Sequence, residues 1–111
     1  MRKLVNYSLS EFSEELASRS PAPGGGSCAA LVAALGVALL EMSMRYSQFP
    51  ASEVADVRKT RLKLMQLVEK DAKAYQQVVQ SRKKKPAYRQ QALVRAVEIP
   101  LEICESCDHA I

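Results

Sequence analysis

Two places in the sequence carry residue types and spacings that could do chemistry. The first is Asp71. On a helix its neighbours three and four positions away are Leu67, Val68, Ala74 and Tyr75, all apolar or aromatic, whereas Glu69 has Gln66 and Lys73 beside it. A carboxylate held in such a face loses hydration, so its pKa rises and it becomes a candidate general acid or base near neutral pH. The alternative is a structural carboxylate paired to a neighbouring chain or to backbone. The second place is Ser20-Pro21-Ala22-Pro23-Gly24-Gly25-Gly26-Ser27, which opens directly into an apolar stretch. Prolines there fix local backbone angles and glycines permit conformations that other residues resist. Free N–H groups and the positive end of a helix dipole would then face one spot, a geometry that holds anions or carbonyl oxygens. The loop lacks the G-K-[ST] of a P-loop and the G-x-G-x-x-G of a dinucleotide fingerprint, which excludes the common nucleotide sites. A tight helix–helix turn in which glycine merely avoids a clash is the alternative.

Other reactive side chains offer less. Cys104 and Cys107 form a C-x-x-C with His109 two places on, three ligands where a structural zinc needs four. They read as thiols on a helix face, and Cys28 as a small residue of a helix interior. No metal is expected. Arg82-Lys83-Lys84-Lys85, with Arg89 and Arg95 downstream, would attract a polyanion, but no aromatic interleaving accompanies them, so a solvated helix end is the default.

The elements that must position these residues are helical. Ser8 and Ser10 can cap a first helix ending near Arg19, with Leu9, Phe12 and Leu16 on one stripe. Cys28 to Leu40 is uninterrupted Cys, Ala, Leu, Val and Gly; about 13 residues fall short of the roughly 20 that span a bilayer, so the segment is expected to be a core helix buried on all sides. After Phe49-Pro50, Ser52 can cap a long helix to about Ser81 whose apolar stripe is Val54, Val57, Leu62, Met65, Val68, Ala72, Tyr75 and Val79. Pro86 begins a short helix over 87–97, and Pro100 separates it from a last segment.

At 111 residues, 48% hydrophobic and 25% charged, the chain has the size and composition of one globular domain, residues 1–111. Only 5% of residues are aromatic, so the core must be built from Ala, Val and Leu, which suits closely packed helices. Sixteen basic against twelve acidic residues give a net charge of +4, too mild to indicate nucleic acid without a motif. The start turns polar before an apolar signal core can form, and three cysteines do not make a disulfide framework; both fit a cytoplasmic protein with no membrane partner.

The Pro/Gly loop with its Ala/Leu helix, Asp71-Ala72-Lys73-Ala74-Tyr75 on a long helix, and Val97-Glu98-Ile99-Pro100-Leu101 occur in that order across nearly the whole chain. Together they resemble the formiminotransferase-cyclodeaminase family, specifically its cyclodeaminase domain, which also occurs alone as methenyltetrahydrofolate cyclohydrolase. The resemblance implies an all-α, antiparallel bundle of four to five helices that forms a homodimer or higher oligomer. It implies a tetrahydrofolate derivative as substrate with no tightly bound cofactor. Formiminotetrahydrofolate would close to 5,10-methenyltetrahydrofolate with loss of ammonia, or the methenyl ring would open with water to 10-formyltetrahydrofolate. Asp71 matches the family's acid/base, and Gly24, Gly25, Gly26 and Ser27 match its folate loop, with Tyr75 one turn beyond Asp71 as a further substrate contact. Folates carry glutamate tails that Arg82 to Lys85 would attract. Family domains continue into further helices beyond the point matching Ile111; a bundle without them is expected to expose apolar surface and associate, or to survive as a folate-binding or structural dimer without turnover.

Overall fold

The computed structural model describes residues 2–20, 22–82 and 86–110. Pro21 of the loop and Lys83, Lys84 and Lys85 of the basic cluster lie outside them, as do Met1 and Ile111. The described residues form a short 3-10 turn at Leu4–Asn6 and four α-helices, α1 (Leu9–Ala17), α2 (Gly25–Tyr46), α3 (Ala51–Ser81) and α4 (Pro86–Ala110), with no strand among them. At 1.5 Å per residue the 31 residues of α3 run roughly 46 Å, most of the molecule's 54 Å length. α3 is thus the spine, and α2 and α4 pack along it.

α1 begins as its sequence expects. Ser8 Oγ accepts the Glu11 N–H at 3.0 Å, and Glu11 Oε1 accepts the Ser8 N–H at 3.2 Å, a reciprocal capping box. Ser10 lies inside the helix, and of the expected stripe Phe12 is buried and Leu16 partly so, while Leu9 is exposed. The N-terminal segment is tied down by the Val5 N–H to Glu69 Oε1 on α3 at 2.9 Å, with Arg2 paired to Glu11 and lying 4.4 Å over the Tyr7 ring.

The α2–α3 interface carries most of the core. α2 offers Ser27, Ala30, Ala34, Val37, Glu41 and Met44, spaced 3-4-3-4-3, an a/d seam of mostly small residues that lets the helices approach closely. α3 answers with Thr60, Leu64, Leu67, Val68, Ala72 and Ala74. Ser27 bonds to Val68 while Glu41 pairs with Arg61, so the two helices run in opposite directions. Leu64 and Leu67 are fully buried, each contributing roughly 1.5–3 kcal/mol of apolar burial. The expected α3 stripe was partly misplaced. Leu62 and Tyr75 are exposed, and Leu64, Leu67 and Ala74 take the inward positions, because α3 turns one face to α2 and another to α4 and no single stripe describes both.

Three further expectations are corrected. α2 is not buried on all sides. Val32, Leu35, Leu39, Met42 and Tyr46, again spaced 3-4-3-4, form a second seam open to solvent, because α3 and α4 cover only the opposite face. Its 22 residues make it long and apolar enough to cross a membrane by length and composition. Glu41, in its fifth turn, is buried against Arg61. Ser52 does not cap α3: Pro50 occupies the N-cap and makes no side-chain cap bond. Finally, residues 87–97 are not a separate helix, since α4 runs unbroken through Pro100. Ala92, Ile99 and Ile103 are buried to either side of the proline, and this burial offsets the missing amide hydrogen.

α2 ends in a Schellman motif. The Phe49 N–H reaches the Met44 carbonyl at 3.0 Å and the Gln48 N–H the Arg45 carbonyl at 3.2 Å, with Gln48 at φ 58°. That left-handed angle favours glycine. Gln48→Gly should therefore raise stability by about 0.5–1 kcal/mol in a denaturant titration, with the m-value unchanged.

Candidate active site

Asp71 occupies a place in the core-facing rows of α3, between Leu67 and Ala74, where an apolar residue would ordinarily stand. Opposite it is the first turn of α2. The N-cap there is Gly24, which has no side chain with which to satisfy the helix's free N–H groups. Asp71 takes that part from a neighbouring helix. Its carboxyl lies against the Gly26 backbone and beside the Ser27 amide and hydroxyl. Ser27 is fully buried; its hydroxyl donates to the Val68 carbonyl at 2.7 Å and stands 3.4 Å from Asp71 Oδ2.

The electrostatics are set by two opposing effects. Burial raises the Asp71 pKa from the ordinary 3.8, and hydrogen bonding to the Ser27 amide and hydroxyl pulls it back without cancelling the rise. The result is a half-buried carboxyl that is a stronger base than a solvated aspartate. It has one flank against backbone and the other open to a cleft.

Gly26 makes that approach possible. A Cβ built on it would overlap the Asp71 carboxyl, whereas Gly25 and Gly36 have open space where a Cβ would go. No glycine has positive φ, so the expectation that the triplet supplies conformations forbidden to other residues does not hold among the described residues. The need is steric and concentrated at one position. It is the alternative reading of the loop, with the Asp71 carboxyl as the partner avoided.

The cleft beside Asp71 has a volume of about 580 Å³, within the range of small-molecule sites. Gly24, Gly25, Gly26, Asp71 and Tyr75 line it together, and Ser27 supports Asp71 from beneath, so the structure gathers all six expected site residues. Sequence reading missed the rest of the lining: Arg19 and Ser20 after α1, Val79 on α3, and Ala96 and Pro100 on α4. Val79 stands eight residues beyond Asp71, a helical spacing that places it on the same face; Arg82, eleven beyond and expected to draw an anionic tail, lines the cleft with them. Pro100 has no amide hydrogen to offer the Ala96 carbonyl, leaving an acceptor at the α4 wall. A second cleft of about 400 Å³ surrounds Glu41, but both carboxylate oxygens there are engaged by Arg61, one by Nε and one by Nη2 at 3.5 Å. It offers no free acid. Cys104 is exposed and Cys107 half-buried on α4, and no group of three His, Cys, Asp or Glu gathers among the described residues.

The chain is similar to known proteins over most of its length. The formiminotransferase-cyclodeaminase family model matches residues 8–111. The formimidoyltransferase-cyclodeaminase of Rattus norvegicus is 31% identical over 125 residues, covering 95% of this chain and 23% of that protein; the Sus scrofa protein is 34% identical over 128 residues with the same shares. The methenyltetrahydrofolate cyclohydrolase of Methylorubrum extorquens is 28% identical over 126 residues, covering 96% of this chain and 61% of the relative. The chain thus spans under a quarter of the length of the first two. No solved structure matches it significantly.

Gly26→Ala should force the Asp71 side chain to rotate away. Because the displaced group is the end of a side chain and alanine favours the helix by about 1 kcal/mol, the melting temperature should fall by no more than a few degrees. Asp71-dependent activity should drop at least about 100-fold, the usual weight of a positioned acid/base. Gly36→Ala, outside the cleft and with free space at its Cβ, should leave that activity unchanged.

Proposed function

Because the chain belongs to the formiminotransferase-cyclodeaminase family, we propose that it acts on C–N bonds of one-carbon tetrahydrofolates, with Asp71 moving the proton. The observation that carries this reading is a base-strengthened carboxyl lining a ligand-sized cleft, with a glycine whose missing Cβ leaves it room.

The two reactions named for its relatives share a tetrahedral carbon between two nitrogens. In the cyclodeaminase direction N10 attacks the protonated formimino carbon, giving an aminal with N10 positively charged. Asp71 takes the N10 proton and passes it to the amino group, which leaves as ammonia as the methenyl cation forms. One proton is relayed and the charge is conserved. In the hydrolytic direction water adds to the methenyl cation and gives one proton to Asp71, which returns it to N5 as the C–N5 bond breaks; the carbinol hydroxyl loses its own proton to solvent as the formyl carbonyl forms, so one proton is released overall. A carboxylate also offsets the positive charge that both routes carry at the reacting carbon. The pKa shift serves this chemistry, since an acid raised above its ordinary value accepts and returns a proton more readily near neutral pH.

We further propose that a second copy covers the exposed α2 seam, completing an antiparallel helical assembly. The 3-4-3-4 spacing of Val32, Leu35, Leu39, Met42 and Tyr46 is that of a helix–helix seam, and the last of these is 84% exposed.

Two measurements test these proposals. Absorbance of 5,10-methenyltetrahydrofolate, followed in the hydrolytic direction and in its formation from 5-formiminotetrahydrofolate, should change faster with the protein in one of the two. Asp71→Asn, nearly isosteric, should cut that rate by about 100-fold to 10,000-fold with the fold intact by circular dichroism; an unchanged rate would make Asp71 a capping group only. For the assembly, sedimentation velocity should give a dimer for the parent and a monomer for Leu39→Glu, a position the isolated fold leaves 62% exposed. A monomeric parent at tens of micromolar would refute the interface.

A further inference from the structure

Resting on the folate reading above, we propose that one face of α3 orients the ligand end to end, with the reacting carbon at Asp71 and the anionic tail at Arg82, aided by Arg19. Asp71, Tyr75, Val79 and Arg82 all line the cleft. At 100° and 1.5 Å per residue they fall within a sector of roughly 80° and rise roughly 6, 12 and 16 Å beyond Asp71. In order they are an acid, a half-exposed aromatic ring, an aliphatic surface and a guanidinium.

That order of chemistry matches one ligand polarity. A carboxylate favours a cationic or proton-exchanging centre; a tyrosine ring and a valine favour a flat apolar body; a guanidinium favours a carboxylate, which it can hold in a planar fork. The p-aminobenzoyl ring of a folate lies between its reacting carbon and its glutamate, in the same sequence. Arg19 adds a second cation from the loop after α1. Neither arginine has an ion-pair partner among the described residues, and Asp71 is the sole acid among the cleft's lining residues. The reverse orientation would set the glutamate carboxylates against Asp71 and leave both guanidinium groups with no anion.

The test compares methenyltetrahydropteroylglutamate with the corresponding pteroyl amide, in which an uncharged carboxamide replaces the glutamate, by steady-state kinetics and by direct fluorescence binding. Arg82→Gln should raise KM and Kd for the glutamate form about tenfold, the weight of one charged hydrogen-bonded contact, with kcat within twofold. The same variant should leave the amide form unaffected. Arg19→Gln should act in the same direction, and Arg95→Gln, outside the cleft, should change nothing. Equal losses on both substrates, or none on either, would overturn the orientation while leaving the folate activity standing. A parent protein that neither binds nor turns over either compound would overturn the folate reading and this inference with it.

Discussion

The close approach of the Asp71 carboxyl to the Gly26 backbone organises this molecule. A helix of 22 residues begins with no side-chain cap of its own, and the group that meets its first turn comes from another helix 44 residues on in sequence from Ser27. The same contact therefore fixes where α2 starts, how near it lies to α3, and where the single acid of the cleft points. Ser27 completes it by donating to the Val68 carbonyl, which joins a side chain at a helix start to the backbone of the spine. The contact that caps α2 leaves the other flank of Asp71 facing the cleft, so the proposed chemical role does not compete with the structural one.

The other end of the α2–α3 seam is set by Glu41 and Arg61. Two polar contacts 14 residues apart on α2 fix the register of two helices whose remaining contacts are small and interchangeable. A slip of one heptad that sets Ser27 against Leu64 in place of Asp71 would set Glu41 against Val54 in place of Arg61, burying a carboxylate without a partner at a cost of several kcal/mol. Alanine-rich seams pack in many registers, so this specificity comes from the charges. The small residues make the helices close; the charged ones decide which side chains meet.

Most of the site was legible because it depends on local rules. The apolar neighbours of Asp71 follow from helical spacing alone, and the glycine triplet before an apolar helix announces a backbone-lined turn. The steric origin of the Gly26 requirement was not legible, since the atom it accommodates belongs to a residue 45 positions away. Arg19 and Ala96 escaped for the same reason: they join the cleft through the packing of separate elements. The second seam of α2 was misread because an all-apolar run has no polar face to show which side is covered. Pro100 was read as a break since local sequence carries no sign of the burial of Ile99 and Ile103 that holds the helix together across it.

A carboxyl whose protonated form the fold prefers is also a standing conflict between durability and chemistry. Under selection for heat resistance alone, position 71 is where this chain gains most readily by giving up its charge, for an amide keeps the shape and sheds the cost of dehydration. Under selection for turnover it is the position that cannot move. Libraries evolved under each pressure would therefore part company at this one residue first, and whether aspartate persists there records which demand the protein has been made to meet.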